Sequence, residues 1–281
     1  MKRIAVLLTC HNRYAKTIAC LEALFLNHLP EGYSLEVFLV DDGSKDGTNE
    51  AVKWQFPAVH LIEGDGNLYW NGGMRVAFAA AMRQGFDYYL WLNDDTTLYK
   101  NTLCTLLETT QALTHKQGRA TIIVGATQDQ QGCASTYGGL IRTSCWRPLK
   151  FILVPTSDVP VTCDTMNGNC VLIPSIIANT LGNLDDAFVH TMGDIDYGLR
   201  ACKAGFSIMV MPGFAGSCRR NSTNNTRSNA RVSCFERCKN ITDHKELPPR
   251  AWYVLTRRHA GLLWPIFWVW PYLKALFGVA R

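Results

Sequence analysis

The first hundred residues alternate between short apolar runs and amphipathic stretches. Arg3–Thr9, Leu35–Val40, Val59–Ile62 and Tyr88–Leu92 are apolar runs of strand length. Between them, Thr17–Leu26 places Ile18, Leu21 and Phe25 on one helical face, Asp46–Trp54 opens with capping residues, and Met74–Arg83 is alanine-rich. Leu98–Leu113 is a further helical stretch. Strands and helices alternating at this spacing imply βαβ units and a mainly parallel sheet. Beyond residue 120 the runs shorten. Ile122–Ala126, Ala134–Ile141, Val161–Met166 and Cys170–Ile173 read as strands, Asp194–Ala204 as a helix, and Ile208–Met211 as a strand. Residues 216–233 are polar and aperiodic, which predicts a mobile loop or lid.

Composition sharpens this picture. The chain has 281 residues, 47% of them apolar and 18% charged, which excludes a disordered chain and a coiled coil. The net charge of +5 is unevenly placed. Residues 216–281 hold 12 Lys/Arg against 3 Asp/Glu, whereas residues 1–215 hold 16 against 20. The eleven cysteines are odd in number, form no C-x-x-C pair and read as reduced cytosolic thiols. Cys234 and Cys238 fall one helical turn apart, but no second pair has zinc spacing. Ile4–Leu8 is too short for the apolar region of a signal peptide. The longest apolar run, Ala260–Tyr272, holds two prolines and is too short to span a bilayer. Its tryptophans, flanked by Arg257, Arg258 and Lys274, predict a segment lying in an anionic membrane surface. The competing reading packs it on its own domain or on a sister subunit in a homodimer. Nucleic acid is not an expected partner, because the basic residues sit among bulky apolar ones.

Ligands of open α/β sheets bind beyond the carboxyl ends of the strands. Here those ends read Thr9-Cys10-His11-Asn12, Asp41-Asp42-Gly43-Ser44, Gly64-Asp65-Gly66-Asn67 and Asn93-Asp94-Asp95. Clustered carboxylates repel one another, and a divalent cation would offset that cost. Asn93-Asp94-Asp95 therefore reads either as metal ligands completed by a diphosphate or as a helix cap, and Asp41-Asp42-Gly43-Ser44 as a site or a turn. Asn67–Arg75 carries paired glycines at an expected helix start, where backbone can approach a phosphate closely. It is neither a G-x-G-x-x-G nor a G-x-x-x-x-G-K-[ST] loop, which argues against a dinucleotide oxidoreductase and a P-loop NTPase. In His190–Arg200, Asp194 and Asp196 flank a helix start and Arg200 falls one turn past Asp196. The bland reading is a capped helix with an ion pair; the functional one is a general base.

Taken in order, Val6–Asn12, Val40–Gly47, Asn67–Gly73, Leu92–Thr96, Asn167–Cys170 and Gly193–Arg200 resemble glycosyltransferase family 2, the inverting nucleotide-sugar transferases of GT-A fold. The tail, from Lys245 through Arg257-Arg258-His259 to Trp264-Pro265, is similar to bacterial rhamnosyltransferase-like members that assemble surface polysaccharides such as O-antigen. The resemblance implies an α/β GT-A domain over residues 1–215, with a nucleotide-sugar half (1–120) and an acceptor half (121–215). Residues 216–281 would then be a lid and a helical, basic, aromatic tail. Thr9 and Asn12 match positions that meet base and ribose, and Asp41 the acid that binds the base. Asn71, Gly72 and Gly73 would border the diphosphate, with Asn93 and Asp94 beside the donor. Asp95 matches a ligand for Mg²⁺ or Mn²⁺, with His190 or Cys218 as candidates to complete the site. Asp194 matches the catalytic base; Trp70, Asn167, Gly168 and Asp196 fall on the acceptor side.

The implied donor is a dTDP- or UDP-sugar, and the acceptor a glycan or lipid-linked glycan at the cytoplasmic face of the membrane. Three positions depart from the family pattern: Asn93 replaces an aspartate, Gly193 a glutamate, and Gly216-Ser217-Cys218 stands where many members carry a histidine. Two other function classes stay open. A sugar nucleotidyltransferase usually needs a glycine-rich basic loop after the first strand, absent at Thr9–Arg13. Against a non-catalytic glycan-binding protein stand Asp95 and Asp194.

Overall fold

The computed structural model describes residues 1–132, 134–220, 234–243 and 246–277. The chain opens with β1 (Lys2–Cys10), α1 (Tyr14–Phe25), β2 (Tyr33–Asp41), α2 (Thr48–Gln55), β3 (His60–Glu63), α3 (Tyr69–Gln84) and β4 (Tyr88–Leu92). These follow the alternation in the sequence closely. β1 pairs in parallel with β2 and β4, and β2 with β3, so Cys10, Asp41 and Glu63 end side by side.

The second half adds β5 (Thr97–Leu98), α4 (Thr102–Gln117), β6 (Thr121–Gln128), β7 (Ser135–Tyr137), β8 (Gly139–Arg142), β9 (Phe151–Leu153), β10 (Val161–Thr162), β11 (Thr165–Met166), β12 (Cys170–Pro174), α5 (Ser175–Leu181), α6 (Gly193–Lys203) and β13 (Ser207–Ser217). The main sheet runs β10-β13-β6-β12-β4-β1-β2-β3. β12 is antiparallel to both β4 and β6. Its start therefore lies at the same edge as the end of β4, and Asn93 N–H donates to Asn169 O at 3.0 Å. A smaller sheet, β11-β8-β9, flanks this region.

Alternate residues of β1 feed two apolar layers, as the period of a strand requires. Ala5 and Leu7 meet Met74 and Phe78 of α3 and Tyr197 of α6. Ile4, Val6 and Leu8 meet Leu21 and Leu24 of α1 and Leu103 and Leu106 of α4. Each fully buried Leu or Phe contributes about 1.5–3 kcal/mol, and the sheet is sealed on both faces.

The expected strands Ala134–Ile141 and Val161–Met166 each divide in two, β7 with β8 and β10 with β11, and two further departures bear on the site. α3 begins at Tyr69, so Gly72 and Gly73 lie inside its first turns and not ahead of it. β13 continues through Gly216 and Ser217, which pair with β5 and β6, and these residues belong to the sheet and not to a lid. Pro212 and Gly213 (φ +67°) sit at a register shift and interrupt the apolar pattern without ending the strand. The rest of the expected lid, residues 221–233, lies outside the described residues, as do the side chains of Cys234 and Cys238.

The tail forms α7 (Cys234–Ile241), α8 (Pro249–His259) and α9 (Trp264–Phe277). Ala251 and Leu255 of α8 are buried against Phe188 and Met192, ahead of α6. α9 rests on α8: Trp252 Nε1 donates to Phe267 O (3.2 Å), and Tyr253 meets Trp264 edge-on. No helix among the described residues is long and apolar enough to cross a membrane.

Candidate active site

The strand-end loops are fastened to one another by side chain–backbone bonds. Asp41 Oδ1 accepts from Ser44 N–H (2.9 Å) inside its own turn. Buried Asp42 accepts from Gly66 N–H and Tyr69 N–H, both at 2.9 Å, tying the second loop to the third. Asn12 N–H donates to Ser44 Oγ (2.9 Å), and Asn12 Oδ1 accepts from Lys45 N–H (2.7 Å). Thr9 packs directly on Gly73: any side chain at Gly73 would collide with the Thr9 hydroxyl. Among the described residues, three non-glycines adopt a left-handed backbone: Asn12 (φ 51°), Tyr69 (φ 54°) and Met192 (φ 72°). All three border these loops or the start of α6, where such strain commonly concentrates.

Past β4, Asp94 is buried and accepts from Arg13 Nη1 at 2.9 Å. Burial pushes its carboxyl up to about 6, against the opposing pull of Arg13. Asp95 accepts from the same Arg13 Nη1 (3.0 Å), lies 3.5 Å from Lys16 Nζ, and receives Cys218 Sγ–H at 3.5 Å. Burial, then the Asp95 charge, raises the Cys218 thiol to about 12. Asn93 Oδ1 accepts from Trp70 Nε1 at 2.7 Å.

Asp194 sits in the first turn of α6. Its Oδ2 accepts from Gly168 N–H (2.9 Å) and its Oδ1 from Ile195 N–H (2.8 Å). Burial raises its carboxyl above the usual 3.8, while the two N–H groups oppose the rise. The Trp70 ring covers Gly168 so closely that a Cβ there would lie 2.5 Å from it and 3.5 Å from Asp194 Cβ. Trp70, Asn93, Gly168 and Asp194 thus form one wall, and Asn167, beside Gly168, lines an adjoining cavity of about 390 Å³ with Tyr137, Phe151 and Arg220.

The match of a family model fits this layout. The model for glycosyl transferase family 2 matches residues 5–170, from β1 through the start of β12. The chain belongs to glycosyl transferase family 2. Two solved structures share its fold. A mannosyltransferase from Pyrobaculum calidifontis, solved with GDP-Man and Mn²⁺, is 13% identical over 99% of this chain and 74% of its own, with a TM-score of 0.58. TarS of S. aureus is 14% identical over 100% of this chain and 44% of its own, with a TM-score of 0.55. No curated protein sequence matches significantly. The fold is thus the GT-A type of this family, with its mainly parallel sheet flanked by helices.

Within this transferase fold two expected positions take a different place. Asp196, expected on the acceptor side, is 0% exposed and accepts from Arg200 Nε (2.8 Å), Arg258 Nη1 (3.2 Å) and His259 Nε2 (2.9 Å). It is an internal counter-ion, closed off from a sugar. Asn71, expected at the diphosphate, is buried; its Nδ2 donates to Asp185 O (3.1 Å) and Phe188 O (2.6 Å). Its Oδ1 occupies the space that a side chain at Gly193 would need. That packing explains why glycine stands where the family pattern has glutamate.

As to a metal, no group of three His, Cys, Asp or Glu side chains lies close enough to hold an ion among the described residues. The residues fit a site shared with the donor: Asp95 offers one hard carboxylate with Cys218 beside it, and Mg²⁺ commonly takes one or two carboxylates plus substrate phosphates. Arg13 holds both Asp94 and Asp95, Asp94 being the more buried of the two, and His190 lies against the Tyr69 ring. Sequence reasoning gave no role to Arg13 and Lys16 and left Asp42 as part of a site or a turn. Their signal was proximity: Asp42 directly follows β2, and Arg13 and Lys16 lie in the loop and first turn of α1 just past β1.

Proposed function

We propose that this family member is an inverting transferase that moves a sugar from a nucleoside diphosphate to a hydroxyl of a glycan acceptor. The observation that carries the reading is the placement of Asp194. Its carboxylate is held by two backbone N–H groups, with its proton affinity raised by burial, in the wall that Gly168 and Trp70 join to Asn93 after β4. A general base works best when its pKa approaches the working pH.

In this reading Thr9, Asn12 and Asp41 face the nucleotide, and Gly72, Gly73 and Asn93 the rest of the donor, with buried Asp94 behind them holding Arg13. Asp194 takes the proton from the acceptor hydroxyl as its oxygen attacks the anomeric carbon. The bond from that carbon to the diphosphate oxygen breaks, and configuration inverts in one displacement. Mg²⁺ or Mn²⁺, held by Asp95 with the diphosphate, would offset charge on the leaving group. Arg13 and Lys16 lie beside the same carboxylates and add fixed positive charge there. Trp70 offers a ring face to the acceptor sugar, with Gly168 and Asn167 beside it. The donor is a dTDP- or UDP-sugar, with rhamnose as the transferred sugar.

The acceptor is carried on lipid at the cytoplasmic membrane face. The end of the chain supports this with exposed apolar residues, Leu262 in the turn before α9 and Ile266, Trp270, Leu273 and Phe277 along one face of α9. The net positive charge of the tail suits it to an anionic bilayer.

The test is Asp194→Asn in a panel of UDP-, dTDP- and GDP-sugars. The variant should fold, bind the nucleotide and release less than about 1% of the wild-type product per unit time, the upper range of a lost general base. Near-normal turnover would remove Asp194 as the base.

A further inference from the structure

The tail helix α8 reaches the site through a buried charge cluster that glycosyl transfer itself does not use. Asp196, two residues past Asp194, gathers three donors where one would neutralise it. Arg200 comes from its own helix; Arg258 and His259 come from α8, more than sixty residues later. Burial pushes the Asp196 carboxyl up, but the His259 hydrogen bond and the two guanidiniums outweigh it, so it stays ionised. His259 is itself buried; burial lowers its pKa against the pull of Asp196, and its Nε2–H donates to that carboxylate. Arg258 makes a second attachment, donating Nη2–H to Asp185 Oδ2 at 2.5 Å.

These contacts bracket the segment that carries the base. Asp185 and Asp196 lie on either side of Asp194, and the chain between Asp185 and Gly193 has no regular structure. It is pinned from the cleft side by Asn71, which bonds the carbonyls of Asp185, Phe188 and Val189. From the far side it is pinned by Arg258 and by the packing of Leu255 on Phe188 and Met192. Met192, in its left-handed backbone, is the joint into α6. Such a conformation persists only when its surroundings over-determine it. Asp194 points where the first turn of α6 points, because both of its oxygens are taken up by N–H groups on that turn and on Gly168.

We propose that Arg258 and His259 are positioning residues for glycosyl transfer, holding Asp194 in register through Asp196 and Asp185. This rests on the reading of Asp194 as the base. A misplacement of the base by about 1 Å costs up to about 100-fold in rate, while the donor loops, fastened independently through Asp42 and Asn12, are untouched.

The experiment uses the full chain and the nucleotide sugar that the panel of UDP-, dTDP- and GDP-sugars shows to be turned over, together with hydrogen–deuterium exchange, which needs no substrate. Arg258→Gln should lower kcat by about 10- to 100-fold with the donor KM within about twofold. It should also speed exchange over residues 185–197 and leave β1 and β4 protected. Arg258→Lys keeps the charge but reaches one carboxylate only, and should recover part of kcat. His259→Gln keeps a donor to Asp196 and should stay within about threefold of wild type, whereas His259→Ala should not. If Arg258→Gln fails to fold, Arg258→Lys and His259→Ala carry the test. Unchanged exchange at 185–197, an unchanged kcat in these variants, or a loss shared equally by kcat and donor KM would overturn the proposal. Turnover by Asp194→Asn would instead overturn the base; an inactive Asp194→Asn with normal Arg258 variants overturns the positioning role alone.

Discussion

Asp194 is set by two opposing influences, burial that raises its proton affinity and two N–H groups that lower it, and burial wins. Its ionised form is the active one. As pH falls through the raised pKa the base takes up a proton and rate is lost, so the acid limb of kcat should lie above the ordinary 3.8 of an aspartate. A pH–rate profile measures this; a limb at or below that value means the carboxylate is solvated during turnover. Gly193 offers a second test. A methyl there would strike Asn71 Oδ1, and Asn71 holds the 185–189 carbonyls. Gly193→Ala should cost about 1–3 kcal/mol by overpacking, read as a lower urea midpoint, with a larger loss of kcat than of donor binding. Restoring the family's glutamate at this position should do the same. Asp194 and Asp95 were legible through the order of the family motifs, since each on its own reads equally well as a helix cap. The sequence hid the role of Asp196, since the residues that close it off, Arg258 and His259, lie more than sixty positions away and look there like flanks of a membrane segment.

At the scale of elements, the strands and helices of the first half were legible because each buries a whole face and so writes its period into the sequence. β12 was legible as a strand but not as an antiparallel one, since direction depends on which neighbours it meets. α3 begins earlier than its alanine-rich stretch because its first turns carry glycines chosen for contact with Thr9 and Leu68, not for helix propensity. α8 was read as part of the tail, yet its Leu255 is buried with Phe188 and Met192. Leu255→Ala should cost about 2–5 kcal/mol, measurable by thermal or urea unfolding. A loss under about 0.5 kcal/mol would mean that α8 is not docked in solution. His259 adds a pH signature. It faces Asp196, with Arg258 on its own helix and with Lys203 and Arg142 nearby, and its pKa is lowered, chiefly by burial, below the usual 6.5. The unfolded chain therefore binds the proton more readily, and this group's contribution is complete above about 6.5 and lost as pH falls through the folded value. Stability measured against pH should fall less steeply below pH 6.5 in His259→Gln than in the wild type.

For the molecule as a whole, the uneven charge now has two locations. The carboxylates of the body converge on the strand ends and the first turn of α6, and the basic tail divides in function. Arg258 and His259 turn inward to Asp185 and Asp196, while Leu262 and α9 turn apolar residues outward. Leu262 is 98% exposed and Trp270 54% exposed, and Lys274 Nζ lies 5.5 Å from the Trp270 ring centre, as a headgroup-level anchor would. An exposed stripe of this length needs a cover, and an anionic bilayer matches both its apolar face and its positive surroundings. The cut that separates the two roles therefore falls after Ala260 and not before Pro249. A chain ending at Ala260 should keep its nucleotide binding, unfold at a lower midpoint because α8 loses the packing of α9, and lose binding to phosphatidylglycerol vesicles. In the full chain, Leu262→Ser with Ile266→Ser and Trp270→Ser removes three apolar side chains and should weaken vesicle binding by at least about 100-fold. Pure phosphatidylcholine vesicles should bind the wild type more weakly, and added salt should erase that difference by screening. Equal binding to both lipids by the wild type and the triple variant would leave the stripe to a second copy of the chain, which light scattering would then report as a dimer that the triple variant dissolves.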